Sequence, residues 1–228
     1  MSEKPFLEKV AAFITRQVPG GMELLLFQHP SVGIQVPAGT VEPGEKPEQA
    51  ALREAWEETG VEGLVIQKFL GSQDEPRTEG IWVVGETTRV YARPDPDSFA
   101  WAELRRGLQV RAVKPHRAVK LHRLERQAGD FIQVTYEEWD RFPEPQYITY
   151  QITGWVPGLA LCRGTRRHFF HLTSPGAASL PVSWEQRTDN HLFRPFWAPL
   201  DNLPAIIPPQ DAWLAYAQAL SRVSLRLR

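Results

Sequence analysis

The chain has almost no cysteine, no long apolar run and almost no net charge, and each shortage closes off a class of function. A single cysteine, Cys162, in 228 residues excludes an intrachain disulfide framework and suits a reducing compartment. Cys162 has no neighbouring thiol and no nucleophile motif, so it reads as a small, buried apolar residue. A formal net charge of −1 supplies no global attraction to nucleic acid or to an anionic membrane. The opening Met1-Ser2-Glu3-Lys4-Pro5 lacks the apolar stretch of a signal peptide, and no run is long enough to cross a bilayer. A soluble cytoplasmic protein is expected, with neither membrane nor nucleic acid as partner. The six histidines (His29, His116, His122, His168, His171 and His191) have no zinc-type spacing with cysteine. His168 and His171 fall in an expected strand over residues 167–172, where a three-residue step points them to opposite faces.

What the chain does have is acid at helical spacing. Residues 39–61 read GTVEPGEKPEQAALREAWEETGV. Glu54, Glu57 and Glu58 stand three and four residues apart, which brings their side chains to one face of a helix. Like charges so placed repel by roughly 0.2–0.5 kcal/mol per pair. A solvated acidic face is the commoner meaning of such a run. A hard divalent cation is the other, because Mg²⁺ takes carboxylate oxygens while holding substrate phosphates. Pro47 suits the first turn of this helix and Gly60 the position just past its end. Ala51, Leu52, Ala55 and Thr59 form a narrow packing stripe on the other side. Val36-Pro37-Ala38-Gly39 and the turn Glu42-Pro43-Gly44-Glu45 lead into it. A loop feeding a helix in this way brings backbone groups and a metal against phosphate.

With its surroundings, the segment resembles the Nudix box: a glycine, five residues, Glu, seven residues, then Arg-Glu-aliphatic-x-Glu-Glu-x-Gly-aliphatic. Gly39, Glu45, Arg53, Glu54, Ala55, Glu57, Glu58, Gly60 and Val61 fill its nine fixed places. Ala55 is small for the aliphatic place and is the one mild departure. The resemblance implies an α/β/α sandwich with a mixed sheet and a pyrophosphohydrolase dependent on Mg²⁺ or Mn²⁺. It implies that Glu54, Glu57 and Glu58 bind the metal, with the Gly39 carbonyl as a further ligand. One of Glu57 and Glu58 also helps activate water, Arg53 holds an acid in place, and Glu45 supports the site. Homodimers are frequent in that superfamily. The chemistry suits the residues without the name: phosphoanhydride hydrolysis needs charge neutralised and water oriented, and needs no nucleophilic Ser or Cys.

The remaining segments read as a Nudix-like unit in two pieces, 1–78 and 164–228, around an inserted mostly-β subdomain at 79–163. Apolar runs at 10–16 and 22–28, split by Pro19-Gly20-Gly21, give a strand–turn–strand signal. Strands are also expected at 34–36, 64–70, 167–172 and 192–199, and a last helix at 211–222 with Trp213, Leu214, Ala217, Ala219 and Leu220 on its apolar side. Inside the insertion, Trp82-Val83-Val84 starts a strand, 98–106 reads as a short helix, and 118–124, 131–136, 147–153 and 154–157 read as strands. Gly129-Asp130 and Gly154-Trp155-Val156-Pro157 resemble a small Src-homology-type barrel. Its aromatics, Tyr136, Trp139, Phe142, Tyr147 and Trp155, are expected as barrel core rather than as a peptide groove.

The substrate is read less far. A nucleoside diphosphate linked to another moiety fits the resemblance, and Pro76 stands where the ADP-ribose pyrophosphatase pattern has a proline. With 20 prolines in the chain, a chance match is not rare. Positions 77–79 lack the tyrosine associated with diadenosine polyphosphate hydrolases. Nucleoside triphosphate or dinucleoside polyphosphate hydrolysis stays open, as does a non-catalytic ligand sensor whose insertion contacts a protein. For phosphate, Arg163, Arg166, Arg167 and Arg194 offer planar forks of donors. Phe169, Phe170, Trp184 and Trp197 are stacking groups or core. Glu185 and Asp189 are candidates for one extra acid from a loop.

Overall fold

The computed structural model describes residues 6–113, 131–140, 147–188 and 191–224. The chain divides into two compact units, Glu8–Gln73 with Arg167–Arg228, and Met1–Leu7 with Asp74–Arg166. The expected bounds of the insertion, 79 and 163, lie inside the second of these.

The elements of the first unit begin with β1 (Leu7–Val18), β2 (Gly21–His29), β3 (Gly33–Gln35) and β4 (Ala38–Thr40). Helix α1 (Pro47–Thr59) and β5 (Val65–Pro76) follow. The return from the second unit brings β13 (Gly164–Thr173), β14 (Gln186–Thr188), β15 (His191–Pro199) and α2 (Leu214–Ser224). The strands form one mixed sheet in the order β14-β15-β2-β1-β13-β5, with β3 on β2 and β4 on β1. Val18 pairs with Gly21 across the β1–β2 hairpin, so Pro19-Gly20 is its two-residue turn.

Alternation along β1 sorts the core into two layers. Val10, Ala12 and Ile14 go to one face with Ala50, Ala51 and Ala55 of α1. Ala11 and Phe13 go to the other with Trp213 and Ala217 on the α2 side. β13 divides in the same way, Phe170 and Leu172 towards α1 and Phe169 towards α2. A helix on each face gives the α/β/α sandwich. Helix α1 rests on alanines, which let its axis lie close to the sheet, and Ala55 is fully buried there. The small residue at that place of the box thus has a packing reason. Gly60 ends α1 at φ 70° and donates its N–H to Trp56 O, in the left-handed conformation that glycine adopts without strain. The last helix starts later than expected, with a tight 3₁₀ turn at Gln210–Trp213 ahead of α2, and Ala219 points outward.

The second unit is built on β6 (Ile81–Val84), β7 (Thr88–Tyr91), β8 (Ala100–Leu104), β9 (Gln109–Ala112), β10 (Phe131–Trp139), β11 (Ile148–Pro157) and β12 (Leu161–Cys162). They pair in the order β12-β6-β9-β10-β11-β7-β8 around Val84, Val90, Leu104, Val110, Val134, Ile152 and Val156. Two expectations need correction. Residues 98–106 form no helix: Ala102 and Leu104 turn inward at alternate positions of β8, the period of two of a strand. The 147–153 and 154–157 segments are one strand, β11, because Gly154 packs against Val90 and the Tyr91 carbonyl without breaking the ladder. Trp139 and Tyr147 are exposed and not core. The expected strand at 118–124, the Gly129-Asp130 turn and Phe142 lie outside the described residues.

Within this unit the outgoing and returning chain run side by side. Arg166 grips Asp74 with two hydrogen bonds, Thr165 donates to Glu75 at 2.8 Å, and the Arg77 N–H donates to Arg163 O. Ends so close need only a short closing loop, and closure entropy grows slowly with length. Replacing residues 75–165 by a short Gly-Ser linker is expected to leave a soluble, cooperatively melting unit, checked by thermal unfolding. An aggregated product would show that the two units fold only together.

His168 and His171 do leave β13 on opposite sides, His168 to Glu8 and His171 to the Thr15 hydroxyl at 2.8 Å. Burial, with a smaller contribution from Lys68, holds His171 below the ordinary imidazole range. The unfolded chain therefore binds this proton more readily, so stability falls as pH drops below about 6.5. The melting temperature of His171→Gln is expected to fall less between pH 7.5 and 5 than that of the parent chain. Parallel curves would overturn the assignment.

Candidate active site

One guanidinium organises the acids of residues 39–61. Arg53 places Nε and Nη2 on the two oxygens of Glu45, each at 2.9 Å. Its Nη1 reaches Glu54 at 3.0 Å and Glu57 at 3.1 Å, and Nη2 also donates to Thr40 O. The planar fork is what allows one cation to serve three carboxylates, and bonds of this charged kind are roughly twice as strong as neutral ones. The hydrogen bonds to Glu45 push the Arg53 pKa well above its ordinary value. Glu54 also accepts from the Thr40 N–H at 3.2 Å, and Glu58 from the Ala38 N–H at 2.9 Å. The strand-to-helix loop and α1 are thereby tied together through the acids themselves.

Gly39 faces the helix in the register Val10↔Gly39. A Cβ on Gly39 would fall inside the Glu54 carboxylate. The glycine is needed for space, since its φ is not in the left-handed range. Glu54 is largely buried, and that burial raises its pKa despite the opposing pull of Arg53. Positive charge is still wanting there. Among the described residues no three His, Cys, Asp or Glu side chains are gathered around a common point: Arg53 draws Glu54 and Glu57 one way, and Ala38 draws Glu58 another. The donor set nevertheless fits a hard cation, being all oxygen, under-compensated and cradled by a glycine.

The substrate candidates separate. Arg194 and Glu185, 3.7 Å apart, line an open cleft of about 500 Å³ with Gln28, Ser183, Trp184 and Phe196. Arg194 pairs with Gln28 in register and Phe196 with Leu26, and Leu26 and Phe196 pack in the α2-side cluster. The cleft thus opens on the sheet face away from α1. Arg167 is corrected: it is buried, donates to Val10 O at 3.2 Å and stacks over Trp213, so it is not available to phosphate. Arg166 sets its fork on Asp74 within the second unit. Arg163 lies over Trp82 in that same unit. Phe169, Phe170 and Trp197 are core. Asp189 lies outside the described residues. Pro76, at the end of β5, packs with Glu75 against Gly164, a local structural role.

Sequence reasoning missed one grouping. His29 and His191 come within 5.2 Å, centroid to centroid, and both contact Phe193. Burial and then His191 lower the His29 pKa. Strand register alone makes this pair, and neither residue stands in a motif that would have revealed it.

The NUDIX domain profile matches residues 7–135, more than half of the chain. The chain belongs to the NUDIX domain family. As a Nudix protein it is a pyrophosphohydrolase, an enzyme of phosphoanhydride bonds. Among solved structures, a binary complex of Ap4A hydrolase from C. elegans is 15% identical, covers 94% of this chain and 96% of its own, and has a TM-score of 0.41. Another structure of C. elegans Ap4A hydrolase is 14% identical over 98% and 99%, with a TM-score of 0.36. The MutT protein of Methanosarcina mazei Go1 is 32% identical over 35% of this chain and 59% of its own, with a TM-score of 0.27. No curated protein matches the chain. No helix among the described residues is long and apolar enough to cross a membrane.

Gly39→Ala is expected to lower turnover at least about 100-fold, while the melting temperature stays within a few degrees of the parent. The obstructed atoms are the far end of a flexible side chain, so Glu54 swings away and the backbone does not. Retained turnover in a folded variant would remove Glu54 from the site.

Proposed function

We propose that this Nudix enzyme hydrolyses a nucleoside diphosphate linked to another moiety, with ADP-ribose as one member of that class. The observation that carries the reading is the seating of Glu54 against Gly39, with Glu45, Glu54 and Glu57 all on Arg53. Glu54, Glu57, Glu58 and the Gly39 carbonyl would hold Mg²⁺ or Mn²⁺. When bound, such an ion would neutralise pyrophosphate charge and lower the pKa of the water that attacks it.

The chain's own groups do the rest. Arg53 and the Thr40 and Ala38 N–H groups fix the carboxylates before substrate arrives, so little reorganisation is left for the reaction. One of Glu57 and Glu58 accepts the proton of the attacking water; Glu57 is the most open of the three acids on the Arg53 fork, with 35% of its side chain exposed against 15% for Glu54 and 14% for Glu45. The cleft takes the nucleoside, with Phe196 as an apolar wall and Gln28, Ser183 and Glu185 as hydrogen-bonding groups. Arg194, exposed and only loosely paired with Glu185, suits a phosphate oxygen.

Glu57→Gln and Glu58→Gln are expected to lower turnover by at least about 100-fold with folding intact. Products are to be identified by mass spectrometry from a pooled library of nucleotide derivatives, with Mg²⁺ and with Mn²⁺. A mononucleotide from a linked diphosphate supports the reading. Cleavage confined to nucleoside triphosphates or dinucleoside polyphosphates would replace the substrate class. No product from any member would leave a ligand sensor.

A further inference from the structure

The segment ahead of β14 touches both the cleft and the helix that carries the acids. Ser183 bridges Phe196, and the Trp184 N–H donates to Pro195 O at 3.1 Å, so residues 183–185 extend the β14–β15 ladder. Neighbours in an extended segment point to opposite faces. Ser183 and Glu185 share the face of Phe196 and Arg194, which is the cleft. Trp184 and Gln186 share the other. There the Trp184 indole packs on the cluster around Ala55 and Val61 and donates Nε1–H to Thr59 O at 2.7 Å. Gln186 donates to Glu57 O at 3.2 Å. It also lies so close on Gly60 that a Cβ there would come within 2.5 Å of its amide oxygen.

Both acceptors belong to the last turn of α1, whose carbonyls have no partner within the helix. Glu57 and Glu58 stand in that turn. Of the residues lining the cleft, Trp184 is the one whose side chain is bonded to this helix. We infer that Trp184, seconded by Gln186, is a positioning residue that ties occupation of the cleft to the placement of Glu57 and Glu58. A nucleoside in the cleft and a divalent cation at the glutamates then strengthen each other's binding. This inference rests on the cleft and cation site proposed above. Its physical basis is short reach: a shift in the extended segment passes to the helix turn through two hydrogen bonds, and displacements of well under an ångström matter to a set of metal ligands.

The test measures Mn²⁺ binding from the electron paramagnetic resonance of the free ion, with the full chain, alone and with each of the four common ribonucleosides. Nucleosides carry no phosphate, so they cannot bridge to the cation directly. At least one is expected to raise Mn²⁺ affinity about fivefold or more, and Mn²⁺ is expected to raise that nucleoside's affinity by the same factor. Trp184→Phe keeps a packed ring and deletes the donor. In it the factor is expected to fall towards one, with the variant's own nucleoside-free Mn²⁺ affinity taken as the reference for that factor. Gln186→Ala, at a half-buried position, is expected to show the same loss to a smaller degree. A factor unchanged in both variants, or equal to one in the parent chain with every nucleoside, overturns the inference. If the parent still hydrolyses nucleotides in that last case, only the coupling is lost. If instead Glu58→Gln leaves Mn²⁺ binding intact, the cation site itself is misplaced and both readings fall.

Discussion

Glutamates at helical spacing repel one another, and in this chain a single guanidinium holds two of the three, Glu54 and Glu57, together with Glu45. Arg53 spends its fork on Glu45, Glu54, Glu57 and the Thr40 carbonyl, and so links the loop before α1 to the helix itself. A lysine would bring the same charge without the planar set of donors. The cluster is arranged before any ligand binds, which is where electrostatic catalysis gains most. Burial nonetheless leaves Glu54 short of positive charge, and that shortage is what a divalent cation would relieve.

The rest of the sandwich serves this arrangement. Alanines on the inner face of α1 bring the helix down onto the sheet, and Gly39 lets Glu54 come down onto the strand. Trp184 and Gln186 then hold the last turn of the helix through its Thr59 and Glu57 carbonyls. The acids are thus fixed at both ends of their helix by contacts between groups far apart in the chain. The cleft shares its wall with one of these contacts, which is why binding there and binding at the acids are expected to be linked.

Much of the first unit was legible from the chain alone. The Pro19-Gly20 turn, the α1 boundaries at Pro47 and Gly60, and the strands at 10–16, 22–28 and 192–199 all follow from local periodicity and turn chemistry. The surroundings of the arginines were less legible. Arg166 and Arg167 are neighbours in one strand, so one meets Asp74 and the other enters the core under Trp213. Their charge was visible in the sequence, but their surroundings were not. The 98–106 segment failed for a related reason: Ala100, Ala102 and Leu104 suit a helix by propensity, and pairing with β7 overrides that preference.

The acidic segment itself determined which residues stand on one helix face, because 3.6 residues per turn is a property of the backbone and not of the fold. It therefore determined Glu54, Glu57, Glu58 and Arg53 as a group, and the chemistry open to oxygen donors so crowded. Only the tertiary structure decided what surrounds them: the Gly39 strand under Glu54, the Gln186 amide on the last turn, and the Arg194–Glu185 cleft on the other face of the sheet. Those neighbours come from strand register, which depends on how distant apolar faces pack together. No local spacing in the chain encodes it.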